Sequence, residues 1–454
     1  MTDTPASPVL KLMQSRAYRA WVLTLFLLIA MFGFVDRQII SALGQPIKHD
    51  LALSDAQLGL LGGLVFALLN SLLTIPIARV AEKRRRVTII SIGVFLWSLA
   101  TCLCGAATGF TQLVFARLAV GVGEATGGPA TSSLVADYYP RDRRTSASAI
   151  LVLAIPLGAL IGAAGGGYIA QHYNWRLAFV IAGAPGVILA TLLALTIREP
   201  LRGHYDPPSQ TGETAPPFTA VLKRIVQRPA FLHVMIGSTL ASMGGFGINY
   251  FLAPYFFRRF GLDYAQGGLL SGLISAIPGV VSMLGGGLLA DFLGRKDARF
   301  YVWVPGIGAL LAAPLYMLSF FQGGWPMATT VLMITGLVQY AYLPASAGVS
   351  ANIMEPRMRA SAAAVVGIMT NLLGAGLGPL LVGSLSDAFT KRAFSGDFAA
   401  ACAGGRAAET AAAGACGHAS SVGLQMACTV TAAVYVWAAV HFWLAGRTIK
   451  RDMA

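Results

Sequence analysis

Residues 20–44 read AWVLTLFLLIAMFGFVDRQIISALG, an apolar run whose only charged side chains are Asp36 and Arg37. About 20 apolar residues are the length of a helix that crosses the hydrocarbon layer of a membrane. Composition extends this interpretation to the whole chain of 454 residues, because 56% are hydrophobic and only 11% are charged. Soluble domains carry roughly 25% charged residues. The sequence therefore predicts an integral, multi-pass membrane protein.

Twelve apolar segments of spanning length divide into two groups of six. Residues 198–228 separate the two groups, and this stretch is polar and rich in proline. The sequence predicts an all-α membrane protein with an N-terminal six-helix half at 1–197, a linker at 198–228 and a C-terminal six-helix half at 229–454. The predicted spans are 20–44, 56–80, 87–107, 110–138, 145–170, 175–197, 229–257, 265–292, 299–321, 325–352, 359–387 and 422–446.

The basic residues indicate the orientation of these helices. With the amino terminus inside, 24 of the 33 Lys and Arg residues fall on the inner side, 7 on the outer side and 2 within spans. Cytoplasmic loops carry this kind of excess, so both termini are predicted to be cytoplasmic. The net charge of +14 is assigned to orientation and to contact with the lipid bilayer, not to nucleic acid. The excess of Arg over Lys favours a bacterial inner membrane.

The two halves carry related sequences after their second spans. Residues 78–86 read ARVAEKRRR, and residues 287–296 read GLLADFLGRK. Each stretch places a small residue four positions before a carboxylate, Glu82 or Asp291, and basic residues follow. A chain built of two repeated six-helix halves is an established transporter architecture.

These loops and the layout of six plus six spans resemble the major facilitator superfamily. That family carries the pattern Gly-x-x-x-Asp-Arg-x-Gly-Arg-Arg in both loops. The second loop keeps it at Gly287, Asp291, Gly294 and Arg295, whereas the first departs from it at three positions, Ala78, Glu82 and Lys83. The resemblance implies the superfamily fold over essentially the whole chain. It also implies a cytoplasmic gate, formed by Glu82, Lys83, Asp291 and Arg295, that closes the cytoplasmic side in the outward-facing state.

Four ionisable residues lie well within the predicted spans, and such residues are functional candidates because burying a charge in a membrane is costly. They are Asp36 and Arg37 in span 1 and Arg117 and Glu124 in span 4. At about 1.5 Å per residue, Asp36 and Arg117 lie at similar depths and are predicted to pair, with Glu124 two turns deeper. Two interpretations remain open: an ion-pair network that holds helices together, and a site for substrate charge or coupling.

The residues around these charges resemble the spinster branch of the superfamily, whose members export lysophospholipids or sphingosine phosphate. The organic anion:proton symporter branch shares the Asp-Arg pair and the Gly-x-Glu-Ala motif, and it remains the alternative. The resemblance is carried by Asp36-Arg37, Leu53-Ser-Asp-x-x-Leu-Gly59, Arg117-x-x-x-Gly121-x-Gly123-Glu124-Ala125, Asp137-Tyr-Tyr-Pro140 and Ala154-Ile-Pro156-Leu-Gly158.

The C-terminal half has few polar residues in its predicted spans, which favours an amphipathic substrate over a sugar or small anion. Arg37 is expected to meet an anionic head, and Met243, Phe246 and Phe251 are expected to face a tail. Single polar residues can line the path or form hydrogen bonds between helices, and both interpretations stay open. The candidates are Asn249, Tyr250, Gln339, Tyr340 and Asn371.

Glu124 and Asp36 are assigned to proton coupling, because burial near the midplane favours the neutral form of a carboxyl group. Together these features predict a secondary active transporter that works by alternating access as a monomer. An enzyme is not expected, since the sequence offers no catalytic set, no metal-ligand spacing and no phosphate-binding motif, so no cofactor is predicted. A disulfide between Cys402 and Cys416 is predicted in the outer loop 388–421, because the periplasm is oxidising.

Overall fold

The computed structural model describes residues 13, 15–202, 217–355, 358–402 and 413–453, and the regular secondary structure within these residues is helical. Much of the predicted linker, residues 203–216, lies outside the described residues, as do residues 403–412 of the predicted outer loop. The helices of the N-terminal half are α1 (Arg16–Ala42), α2 (Gly44–Leu51), α3 (Asp55–Gly62), α4 (Leu64–Lys83), α5 (Arg86–Cys104), α6 (Phe110–Glu124), α7 (Gly127–Tyr138), α8 (Arg141–Val152), α9 (Ala154–His172) and α10 (Trp175–Thr196).

The C-terminal half begins after a short helix that precedes its first span. This half contains one π-helix, which continues directly into the α-helix that follows it. The elements are α11 (Phe218–Gln227), α12 (Pro229–Phe260), α13 (Tyr264–Gly294), α14 (Phe300–Phe320), α15 (Trp325–Gln339), α16 (Tyr342–Ile353), α17 (Arg359–Ile368), the π-helix (Met369–Gly376), α18 (Leu377–Ala393), α19 (Phe398–Ala401), α20 (Ala413–Ala432) and α21 (Val434–Met453).

Eleven helical segments among the described residues are long and apolar enough to cross a membrane, and they correspond to eleven of the predicted spans. The fourth predicted span, 110–138, is not among them. It is divided into α6 and α7, with a break at Ala125 and Thr126. Two glycines bring α6 close to its neighbours: a Cβ on Gly121 would lie 2.7 Å from the Phe66 carbonyl oxygen, and one on Gly123 would lie 2.6 Å from the Trp97 nitrogen.

The last predicted span begins earlier in the structure than hydropathy indicates. The prediction started this span at residue 422, whereas α20 already begins at Ala413. Cys416 therefore lies in a helix and not in the loop where the sequence analysis placed it. Alanine and glycine dominate residues 413–419, so a hydropathy window gives this first part of the helix little weight, although alanine favours helix formation.

The two halves pack against each other at one end of the molecule. We call the end that contains Arg16 and Met453 the terminal end, and the end that contains α2 the opposite end. At the opposite end a Cβ on Gly59 would lie 2.1 Å from the Pro379 carbonyl oxygen, and one on Gly383 would lie 2.1 Å from the Asp55 carbonyl oxygen. Only glycine permits such close contact between backbones. The halves are therefore closed against each other at the opposite end.

Candidate functional site

A buried ion pair joins α1 to α6 inside the N-terminal half. Nη1 of Arg117 lies 2.8 Å from Oδ2 of Asp36, as their similar depths predict. Thr101 on α5 donates its hydroxyl to the other oxygen, Oδ1 of Asp36, at 2.7 Å. Both charged side chains are buried, and such a pair is tolerable only when its partners satisfy each other. The pair and the threonine hold α1, α5 and α6 at one level.

A second ion pair lies next to the first and reaches accessible space. Arg37 donates from Nε to Oε2 of Glu124 at 2.8 Å, and its Nη2 donates to the same oxygen. The Arg37 side chain is 40% exposed, whereas that of Glu124 is buried. Oε1 of Glu124 has no hydrogen-bond partner among the described residues. The sequence left Glu124 between Arg117 and Arg37, and the structure pairs it with Arg37.

Phe66 on α4 lies between the two arginines. Its ring centre is 4.9 Å from the guanidinium carbon of Arg37 and 5.5 Å from that of Arg117. A cation over an aromatic ring is attracted by the ring's negative face. The sequence analysis missed Phe66, because a phenylalanine in an apolar helix carries no signal that separates it from other packing residues. The four charged residues and Phe66 form what we call the charge network.

The polar residues of the C-terminal half form two hydrogen-bonded groups. In the first, Asn249 donates to the Tyr340 hydroxyl at 3.2 Å. In the second, Gln339 accepts hydrogen bonds from the hydroxyls of Tyr316 and Tyr435. Both groups are largely buried, so in this conformation these side chains satisfy one another. Nε2 of Gln339 has no partner among the described residues and remains available as a donor.

Tyr250 and Asn371 occupy different surroundings from these groups. Tyr250 donates to the Leu58 carbonyl oxygen of the other half at 3.0 Å, and its ring covers Gly62, where a Cβ would lie 2.0 Å from a ring carbon. Tyr250 therefore belongs to the contact between the halves at the opposite end. Asn371 is exposed on the π-helix, a rare element that often marks functional positions.

The predicted apolar surface for a tail needs one correction. Phe251 is completely buried and cannot contact a substrate, whereas Phe246 is exposed and Met243 is partly buried. These residues follow each other on α12, where a difference of a few positions turns a side chain from the open surface into the packed interior. Hydropathy does not distinguish the two faces, because both are apolar.

A buried cluster of charges closes the opposite end across the two halves. Arg258 on α12 makes two hydrogen bonds to Asp55 on α3, from Nη1 to Oδ2 at 2.6 Å and from Nη2 to Oδ1 at 2.7 Å. Nζ of Lys48 lies 2.7 Å from Oδ1 of Asp55. Gln45 accepts from Nε of Arg258 at 2.7 Å. Burial, together with the nearby guanidinium of Arg258, lowers the pKa of Lys48.

Two residues of α18 complete this cluster, which we call the lock. Ser386 donates its hydroxyl to Oδ2 of Asp55 at 2.6 Å. Asp387 accepts from the backbone nitrogens of Asp55 and Ala56 at 2.9 and 2.8 Å, and so caps the start of α3 from the other half. The sequence analysis counted Lys48 and Arg258 only as outer loop charges. Their pairing with Asp55 depends on contacts between helices far apart in the chain.

The remaining predicted residues lie apart from the charge network. Glu82, Lys83, Asp291 and Arg295 are exposed near the terminal end, and the structure forms no ion pair between any of them and another described residue. Cys402 and Cys416 are joined by a disulfide with their Cα atoms 5.7 Å apart. Within the described part of the chain, no three His, Cys, Asp or Glu side chains are grouped so as to hold a metal ion.

Comparison with known proteins identifies the family. The sequence pattern of the Major Facilitator Superfamily matches residues 25–379. An MFS-type efflux pump of Mycolicibacterium smegmatis is 32% identical over 375 residues, which are 82% of this chain and 86% of that protein. The sphingosine-1-phosphate transporter SPNS2 of Danio rerio is 24% identical over 378 residues, 79% of this chain and 74% of that protein.

A solved structure is similar over nearly the whole chain. It is a bacterial homologue of the human lysosomal transporter spinster in an inward-facing, unoccupied conformation. The two share 33% sequence identity and superpose with a TM-score of 0.86 over 96% of this chain and 99% of the other. Family pattern, relatives and fold agree with the multi-pass helical architecture described above. The chain belongs to the Major Facilitator Superfamily and is a membrane transporter of the spinster type.

Proposed function

We propose that this transporter moves an amphipathic, lipid-like substrate by alternating access and couples the movement to protons. The substrate class is that of a lysophospholipid or a sphingosine phosphate. One observation carries the proposal: the charge network presents the partly exposed guanidinium of Arg37, whereas the C-terminal half is largely apolar and pairs its polar groups internally. A charged site opposite an apolar surface suits an anionic head joined to a hydrocarbon tail.

Arg37 is the proposed site for the substrate's head. A guanidinium is planar and offers parallel donors that match a phosphate or a carboxylate. Glu124 occupies part of this fork, because Nε and Nη2 of Arg37 both donate to its Oε2. An anionic head therefore competes with ionised Glu124 for the same cation. A proton on Glu124 removes this competition, and in this way protonation favours substrate binding.

Asp36 is the second carboxyl group proposed for coupling, and its partner is different. It is held by Arg117 and Thr101, both buried, and does not contact Arg37's ion pair directly. Phe66, which contacts both arginines, connects the two pairs. A shift of Arg37 towards a substrate would therefore alter the surroundings of Arg117 as well.

A cavity in the C-terminal half supports a site for the tail. It has a volume of about 430 Å³ and lies between α16 and α17. Its walls combine apolar side chains with a few hydroxyl groups and one exposed cation; they include Leu343, Ser346, Ser350, Arg359, Val366 and Thr370. Ligand sites of this size are lined mainly by apolar groups, with a few polar groups that set orientation.

We further infer that the terminal end faces the cytoplasm and that the chain crosses the membrane twelve times. The support is the excess of basic residues on that side and the two helices α6 and α7, which together have the length of one more span. The lock then closes the periplasmic side, and the exposed gate residues lie at the open side. This is the inward-facing conformation, which the similar bacterial structure also has.

The alternative is an organic anion:proton symporter, because the charge network could bind a small anion equally well. Transport into proteoliposomes separates the two, using a lysophospholipid and a small dicarboxylate, each with and without a pH gradient. We expect the lysophospholipid to be transported faster when the gradient is imposed. Transport of the dicarboxylate alone would establish the symporter and refute the lipid substrate. The similar efflux pump favours export as the direction.

Arg37→Gln provides the test at the level of residues. The variant should weaken binding of an anionic lysolipid at least tenfold and of a neutral analogue much less, since the loss of one charge-assisted contact costs about 1.5–3 kcal/mol. Arg259→Gln is the matched control, because Arg259 is an exposed arginine at the end of α12, away from the charge network. Equal loss for both ligands would mean that Arg37 has only a structural role.

A further inference from the structure

Helix α11 occupies a distinctive position at the terminal end. It covers Phe218–Gln227 and is separated from the spanning helix α12 by Arg228 alone. The start of α12 is fastened to the end of the chain, since Asp452 accepts a hydrogen bond from the backbone nitrogen of Ala230 at 2.8 Å. The carboxyl end of α11 is therefore held where a membrane-spanning helix begins.

The apolar face of α11 is wider than the part that the protein covers. Val221 and Ile225 are buried against the rest of the chain. Phe218, Leu222 and Val226, spaced four residues apart, are 47%, 41% and 68% exposed. At about 100° per residue, these three positions form a ridge directly beside the two buried ones.

The other side of α11 is polar and basic. Thr219, Lys223 and Gln227 are exposed on it, and Arg224 and Arg228 flank it. The helix contains no acidic residue. An apolar face combined with basic residues is the composition of helices that lie in the interface of a membrane, with their cations at anionic headgroups.

We propose that α11 is an interfacial helix whose ridge of Phe218, Leu222 and Val226 inserts into the lipid leaflet at the terminal end, with its cations at anionic headgroups. Two observations identify the leaflet as the occupant: the ridge continues from a helix that enters the membrane, and the adjoining charges are basic only. The helix then lies with Val221 and Ile225 against the protein, the ridge in lipid and Lys223 in water.

This placement connects the leaflet to a part of the transporter near the proposed tail cavity. Nη2 of Arg224 lies 3.7 Å from Oε1 of Glu355, in the segment between α16 and α17. Those two helices line the cavity of about 430 Å³. Headgroup contacts of α11 therefore act on a segment that alternating access would move.

Site-specific fluorescence in the full-length protein tests the proposal. Cys102, Cys104 and Cys428 are replaced by alanine, and an environment-sensitive dye is attached at Val226→Cys or, as a second reporter, at Leu222→Cys. Lys223→Cys, one residue from Leu222 but on the polar side, is the matched control. The protein is reconstituted in vesicles of phosphatidylcholine with 30–40% phosphatidylglycerol, about the proportion that gives a strongly anionic surface.

Spin-labelled lipid should quench the dye at Val226 and Leu222 several-fold more than the dye at Lys223, and aqueous iodide should show the reverse order. Phosphatidylcholine alone should reduce this difference, because the cations lose their headgroup partners. Equal quenching by iodide at Val226 and Lys223 would overturn the proposal. So would protection of both positions from iodide without quenching by lipid, since a second copy or the linker would then cover the helix.

Discussion

The lock makes a quantitative prediction for Asp55→Asn. This change keeps the shape of the side chain but removes the negative charge that Arg258 and Lys48 share at 2.6–2.7 Å. Both cations are largely buried, so they would remain close together without their carboxylate. Asparagine can still accept from Arg258 through its single oxygen. The loss therefore affects the closed state far more than an open state in which water solvates the cations.

Removal of one partner from a buried ion pair costs about 3–5 kcal/mol. Asp387 remains close by and compensates in part, so we take about 3 kcal/mol as the loss in the closed state. This corresponds to roughly a hundredfold change in the equilibrium constant. A protein that is closed at the opposite end in about 99% of molecules would become closed in about half of them.

Double electron–electron resonance measures the separation of the halves at that end. Thr108 lies in the loop between α5 and α6 and Gly323 in the loop between α14 and α15; both are exposed and suitable for spin labels in a background without the three free cysteines. Asp55→Asn should add a second, longer distance of comparable population. Asp50→Asn is the matched control, because the Asp50–Arg176 pair is solvent-exposed and lies within one half.

A distance distribution for Asp55→Asn that equals those of the unmodified protein and the control would refute the role of the lock. In that case the glycine contacts between the halves would dominate closure, and the charges would contribute little. Lys48→Gln provides an intermediate test. It leaves the Arg258–Asp55 pair in place, so we expect a smaller shift of the same sign than Asp55→Asn produces.

Three further predictions concern single sites. Glu124→Gln mimics the protonated carboxyl group, so transport should no longer respond to an imposed pH gradient; an unchanged response would exclude Glu124 as the proton carrier. Alkylation of the unreduced protein should leave Cys402 and Cys416 unlabelled, and mass spectrometry that finds both labelled would contradict the disulfide. Hydrogen bonds from the Arg299 backbone and from Lys450 hold the pKa of Asp297 below its usual value. The extra thermal stability over Asp297→Asn should therefore be present at pH 7 and disappear as the pH falls below the ordinary aspartate range.

Hydropathy located most of the spans because a membrane imposes a strict requirement on length and polarity. It failed where that requirement is relaxed. The fourth span is interrupted after Glu124 and carries two charges that other helices neutralise, and the last helix begins in an alanine-rich segment of weak hydropathy. Depth alone was enough to pair Asp36 with Arg117, since the rise per residue of a helix is constant.

The amino-acid sequence by itself determined the class, the spans and the residues that carry charge into the membrane. Only the tertiary structure decided that Glu124 pairs with Arg37, that Phe66 contacts both arginines, and that Arg258 meets Asp55 from 203 positions away. Depth follows from position along a helix, whereas a partner depends on how each helix is rotated and which helix lies beside it. Nearly every face of a membrane helix is apolar, so rotation leaves little trace in hydropathy and is set by the packing of small residues between helices.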